Sequence, residues 1–151
     1  MSVSASQSAP VHRSRYVLRP VSLPETWNQF VSAHPRGHLL QSWQWGELKA
    51  TSGWSPVRLA LYDEDRIVAA AQVLRRTVPH VPLRVGHLAY IPKGPVIDWS
   101  NDALCTTFLG ALHDYLKQQG ALALDIEVGV ETDDVECALI RERLKTLQAV
   151  R

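Results

Sequence analysis

Leu39-Leu40-Gln41-Ser42-Trp43-Gln44-Trp45-Gly46-Glu47-Leu48-Lys49 joins two chain segments, starts a helix, and carries two indoles and a lysine. Ser42 is placed to accept a hydrogen bond from a free amide of the next turn, and Trp45 and Leu48 then fall on one side of that turn. Trp45 is expected to anchor the helix, with Lys49 projecting one turn later. A second stretch, Tyr90-Ile91-Pro92-Lys93-Gly94-Pro95-Val96-Ile97-Asp98-Trp99, reads as its partner, a proline-stiffened corner facing the lysine. Residue chemistry alone describes an α/β domain.

Outward from the first stretch, Tyr16–Pro20 reads as a short strand that Pro20 ends. Ser22 is expected to cap a helix reaching about His34, with Pro24 in its first turn and Trp27, Phe30 and Val31 on one side. Pro35 and Gly37 terminate it, and the helix through Lys49 stops at Gly53. Ser55 to Tyr62 alternates, with Val57, Leu59 and Leu61 on one face. Asp63-Glu64-Asp65 is a tight polar connection, and Arg66 to Thr77 returns antiparallel. Ala69, Ala70 and Ala71 put no bulk on either face, which implies a central strand with a helix packed closely on it.

Past a loop bounded by Pro79 and Pro82, Val85 to Ile91 is the next strand. Ser100 or Asn101 starts a helix to about Gln119 with Leu104, Phe108, Leu112 and Leu116 at helical spacing, and Gly120 supplies its left-handed stop. Ala121 to Val128 is a strand, apolar at Leu122, Leu124 and Ile126. Thr132 or Asp133 opens a last helix with Val135, Leu139, Leu144 and Leu147 inward. The order is strand, helices, hairpin, strand, helix, strand, helix, and it ends where a further strand is expected.

At 151 residues, with 46% hydrophobic and 21% charged residues, the chain is long enough for one domain with its own core. A formal charge of +1 argues against a dominant basic surface for nucleic acid. No apolar run is long enough to span a bilayer. Met1 to Pro10 is rich in Ser, Ala and Gln and lacks the apolar core of a secretory signal. Residues 1–12 therefore read as a disordered tail, residues 13–151 as the folded domain, and the protein as cytoplasmic. Cys105 and Cys137 make no metal-type pair, and Pro35 and Gly37 spoil helical spacing between His34 and His38, so no metal is assigned.

The element order looks like the acyltransferase fold of the GNAT type, a mixed, mostly antiparallel sheet flanked by helices in the α/β (α+β) class. The residues are more specific. Leu39-Leu40-Gln41-Ser42 followed by Trp45-Gly46-Glu47-Leu48-Lys49 resembles the opening motif of the Fem family (FemABX), the aminoacyltransferases that build peptidoglycan interpeptide bridges. Gly53-Trp54 then Pro56, Ala70-Ala71-Gln72-Val73-Leu74, and Leu88 to Val96 continue the likeness, which covers roughly Leu39 to Val128. The resemblance implies two GNAT-like domains, of which this chain holds the first. It implies transfer of an amino acid from aminoacyl-tRNA to the stem-peptide amine of a lipid-linked or nucleotide-linked muramyl peptide, with no metal or coenzyme A. It also implies that Lys49, at the end of the Ser-x-x-Trp helix, contacts acceptor phosphates. Where the family often has a basic residue before Ile-Glu-Pro or Ile-Asp-Pro, this chain has Asp125-Ile126-Glu127-Val128, which changes the local charge.

By spacing alone Lys49 is a solvated helix lysine; as a flexible point charge it also suits a diphosphate. Lys93 sits on a turn, where Gly94 allows either a tight bend or close approach of a ligand. Tyr90 is a core aromatic or, with Trp43 or Trp45, a wall of an acceptor groove. Lys49, Trp45, Tyr90 and Lys93 are thus the candidate substrate-binding residues. Arg75, Arg76, Arg84 and His80 form either a solvated hairpin end or a patch for tRNA phosphates. Asp125 and Glu127 share a strand face as surface carboxylates or as a base for an attacking amine. Cys105 reads as a packed thiol.

Two other readings stand beside the aminoacyltransferase. One is a non-catalytic truncated interaction module that pairs with a second subunit or with itself through an open sheet edge. The other is a GNAT-type N-acetyltransferase, against which Pro92 and Pro95 count, because they remove amide hydrogens where coenzyme A pyrophosphate would be cradled.

Overall fold

Val57, Leu59 and Leu61 alternate with Arg58, Ala60 and Tyr62, so one strand acquires two distinct faces and the sheet assembles around it. The computed structural model describes residues 15–130 and 135–148. The tail expected over residues 1–12 and the helix start expected at Thr132 or Asp133 lie outside the described residues. Strands β1 (Tyr16–Pro20), β2 (Ser55–Asp63), β3 (Arg66–Thr77), β4 (His87–Pro92) and β5 (Ala121–Glu127) form one sheet in sequential order. β1 to β4 pair antiparallel, and β4 and β5 are parallel. Helices α1 (Pro24–Ala33), α2 (Trp43–Ala50), α3 (Asp102–Gln118) and α4 (Val135–Gln148) complete the described fold, with a 3-10 turn at Leu39–Gln41 before α2.

The two sheet faces carry separate apolar clusters. Leu59, Leu61, Ala69, Ala71, Val73 and Ile91 pack with Phe108, Leu112 and Leu116 of α3 and Ile140 of α4. On the other face Ala60, Ala70 and Val96 meet Trp27 and Val31 of α1. The three alanines therefore do what their small size implies: β3 stands third of five strands and Ala70 leaves room for a fully buried indole. Burying one such side chain contributes about 1.5–3 kcal/mol.

Local signals place the helix ends. Asn101 accepts from Leu104 N at 3.1 Å, and Ser42 accepts from Trp45 N at 3.2 Å, so both caps satisfy a free amide. Gly120 has φ +89°, and a side chain there would meet Arg84 O at 2.4 Å.

Other expectations are corrected. Ser22 does not cap α1, which starts after Leu23 without a side-chain cap bond; Pro24 in its first turn has no amide to satisfy. β4 begins at His87 and leaves Val85 exposed in the preceding turn. Leu122 is exposed at the rim between α3 and β5. Val135, the first residue of α4, is 90% exposed, and Ile140 supplies the buried contact instead. Leu48 is 57% exposed because buried Gly46, not Leu48, faces the sheet; two positions on lies about 200° around the helix.

Candidate functional site

Gly46 sets how α2 lies on the sheet. A Cβ there would stand 2.3 Å from Gln72 Oε1 and 2.5 Å from Arg58 Nη2, so only glycine lets the helix rest on these two strand residues. Arg58 and Gln72 face each other in the β2–β3 register and are buried. Buried polar groups require partners, and these have them. Gln72 Nε2 donates to Leu40 O at 3.2 Å and Ser42 O at 2.9 Å, and Gln72 Oε1 accepts from Arg58 Nε at 2.9 Å. Arg58 Nη2 donates to Trp43 O at 2.9 Å and to Glu47 Oε1 at 3.0 Å, with its guanidinium 3.5 Å from the Trp43 ring centroid. Burial pushes the Arg58 pKa down, and Glu47 opposes that shift.

Gln41 carries the network to the second stretch. Fully buried, it accepts from Gln72 N at 2.7 Å and donates to Pro92 O at 2.6 Å, while Trp27 Nε1 donates to Gln41 O at 2.6 Å. Beyond Pro92 the chain turns through Lys93 at φ +50° and a cis Gly94–Pro95 bond. Val96 then exchanges hydrogen bonds with Ala70 of β3 at 2.8 and 3.0 Å. A Cβ on Gly94 would lie 2.8 Å from Gln41 Cδ, so the close approach this glycine permits is taken by Gln41.

One carboxylate organises the outer side of the corner. Glu127 Oε1 pairs with Lys93 Nζ at 2.5 Å, and Glu127 Oε2 accepts from the Tyr90 hydroxyl. Lys93 first and Tyr90 second hold the Glu127 carboxyl below its ordinary range, and the same hydrogen bond is the chief cause pushing the Tyr90 phenol up to about 12. Both oxygens of the Glu127 carboxylate are thus engaged, one by Lys93 and one by Tyr90. Trp54 packs against Tyr90 with ring centroids 6.2 Å apart at 48°.

Two concavities flank this carboxylate. The larger, about 710 Å³, is lined by Trp54, Leu88, Tyr90, Ala123, Asp125 and Glu127 among others. The smaller, about 90 Å³, is lined by Arg36, His38, Lys93 and Trp99 with neighbouring backbone. Tyr90 thus lines one and Lys93 the other. Lys49 and Trp45 line neither: Lys49 Nζ sits 5.1 Å from the Trp45 ring centroid on α2. Trp54 N donates to Lys49 O at 3.3 Å, which ties the end of α2 to the larger concavity.

The aromatic partner of Tyr90 is Trp54, while Trp43 underlies Arg58. Arg75 and Arg76 do not share one patch, because they are adjacent on β3 and leave opposite faces; Arg75 donates to Ser55 O, and Arg76 lies over Trp54. Among the described residues, no group of three or more His, Cys, Asp or Glu side chains gathers as a metal site. No helix among them is long and apolar enough to cross a membrane. Sequence reading missed Arg58, Gln41 and Trp54 as site builders. The available signal was a pair of polar residues, Arg58 and Gln72, within otherwise apolar strands.

A family model described as the FemAB family matches residues 23–132. A lipid II:glycine glycyltransferase of Staphylococcus saprophyticus is 42% identical over 104 residues, covering 69% of this chain and 24% of the relative. A protein of the same name from Staphylococcus aureus is 36% identical over 118 residues, covering 78% of this chain and 27% of the relative. The crystal structure of FemX superposes with a TM-score of 0.71 at 32% identity, covering 85% of this chain and 31% of that one. A possible acetyltransferase from Clostridium difficile 630 shares the fold, with a TM-score of 0.53 at 10% identity, covering 86% and 89% of the two chains. The architecture is therefore GNAT-like, and the chain spans less than a third of the length of these glycyltransferase and FemX relatives.

Proposed function

The chain belongs to the FemAB family, and from that premise we propose that it is the first GNAT-like domain of a cytoplasmic aminoacyltransferase that extends the stem peptide of a peptidoglycan precursor. In this reading the acceptor is a lipid-linked or nucleotide-linked muramyl peptide, and its stem-peptide amine attacks the ester of an aminoacyl-tRNA. The ester is already activated, so holding amine and ester in register supplies much of the acceleration, with no covalent enzyme intermediate. Lys49 supplies a point charge for the precursor diphosphate, and its position over Trp45 narrows the volume its ammonium sweeps. Tyr90 and Lys93, both held by Glu127, supply further acceptor contacts, each from its own concavity.

One observation supports the reading most: the two motif stretches lie within the FemAB match and are joined in space through Gln41 and Pro92. The test is transfer of a labelled amino acid from charged tRNA to lipid II, by this chain alone and with a relative's second GNAT-like domain supplied in trans. Precursor binding by the chain and transfer by the combination are expected. Absence of both binding and transfer defeats the proposal.

A further inference from the structure

β5 is the last strand on its side of the sheet, and among the described residues no strand pairs with its outer edge. The opposite edge is guarded: β1 has five residues, carries Arg19 and ends in Pro20. β5 runs Ala121-Leu122-Ala123-Leu124-Asp125-Ile126-Glu127, with no proline and no cation. Glu127 O accepts from Gly94 N at 3.1 Å, so Glu127 turns its backbone polar groups toward the β4 side. By alternation Leu124 and Ile126 turn theirs toward the open edge. On the α3 side the strip beside the strand is open and apolar. One concavity there runs along Leu122 and Leu124, another along Ile126, Leu144 and Leu147.

A bare edge of this kind accepts another strand, and the charge pattern of β5 selects one. Ala123, Asp125 and Glu127 leave one face of the sheet. Consider β5 set antiparallel against β5 of a second copy. With Asp125 on the two-fold axis, Asp125 faces its own copy. With Ile126 on the axis, Asp125 faces Glu127 twice. Like charges directly opposite destabilise a strand pair. A register centred on Ala123 runs Ile126 and Glu127 past the start of the other strand at Ala121. With Leu124 on the axis, every residue of β5 is paired and no carboxylate faces another. Asp125 then lies across from Ala123, Glu127 from Ala121, and Ile126 from Leu122, which is 65% exposed. Leu124 meets itself with its outward N–H and C=O, which makes a hydrogen-bonded pair.

We infer that β5 is a docking edge for a second copy of this chain, paired antiparallel about Leu124, so that two five-stranded sheets join across a two-fold axis. The pairing stands apart from the transfer reading above.

Sedimentation velocity of the 151-residue chain over a wide concentration range reads the association. A monomer–dimer equilibrium is expected. Ala123 is exposed, so substitutions there leave the core untouched. Ala123→Asp sets a carboxylate against Asp125 of the other copy on both sides of the axis, and is expected to weaken the dimer at least about tenfold at low salt. Ala123→Lys sets an ammonium there instead, and is expected to tighten the dimer about threefold. Monomer at every concentration, equal dimerisation of the native chain and both variants, or open-ended aggregates in place of a closed dimer overturns the inference. Transfer to lipid II is measured separately. A monomer that transfers overturns the pairing alone, and a dimer that neither binds precursor nor transfers overturns the transfer reading alone.

Discussion

Gln41 Nε2 lies 2.6 Å from Pro92 O, and this bond fastens the turn that starts α2 to the strand end that carries Lys93. The two stretches that read as partners do meet, but through a buried amide rather than through an indole or a lysine. Both ends of that amide are used, since Gln41 Oε1 also accepts from Gln72 N at 2.7 Å. The distance between Lys49 and the corner thus depends on a side chain that touches no open surface.

Gln41→Ala should destabilise the fold by about 2–4 kcal/mol, because it strands the Gln72 amide and the Pro92 carbonyl and opens a void. Denaturant unfolding measures it. Unchanged stability would show that the network relaxes around the loss.

Gly46→Ala sets two effects against each other. Alanine favours a helix over glycine by about 1 kcal/mol. The new methyl, however, would meet Gln72 Oε1 at 2.3 Å, and that oxygen is held by Arg58. Overpacking of this kind costs about 1–3 kcal/mol. A lower melting temperature is expected, and a higher one would mean that α2 can lift from the sheet without loss.

Lys49→Ala should weaken binding of a nucleotide-linked muramyl peptide roughly tenfold, the scale of one charge-assisted hydrogen bond. Its melting temperature should hardly move, since the described contact is a cation–π pair worth about 0.5–1 kcal/mol at an exposed site. Equal affinity in calorimetry would remove Lys49 from the site.

Glu127 has its pKa lowered in the folded protein. Its stabilising contribution is therefore complete above the unfolded carboxylate value of about 4.3 and is lost as pH falls through the lower folded value. Glu127→Gln should flatten the acid side of a stability–pH curve, and an unaltered acid limb would count against the clamp. The same substitution should let the Tyr90 phenol, now pushed up to about 12, ionise nearer the ordinary value of about 10. NMR titration of the Tyr90 ring reads this directly.

Much was legible in the sequence because it is written within a turn or two of chain. The caps at Ser42 and Asn101, the stop at Gly120, the alternation of Val57, Leu59 and Leu61, and the alanines of β3 all act on near neighbours. The family motifs are local in the same sense. What tertiary structure decided is how each element is rotated and which distant group completes each polar side chain. A helical period says that a face exists, not which residue points inward, so Gly46 displaced Leu48 and Ile140 displaced Val135. Asp125 and Glu127 are chemically alike and share a face. Only the arrival of Tyr90 and Lys93 from an adjacent strand and its turn makes one a fixed clamp and leaves the other open, and no pattern two residues wide encodes that pairing.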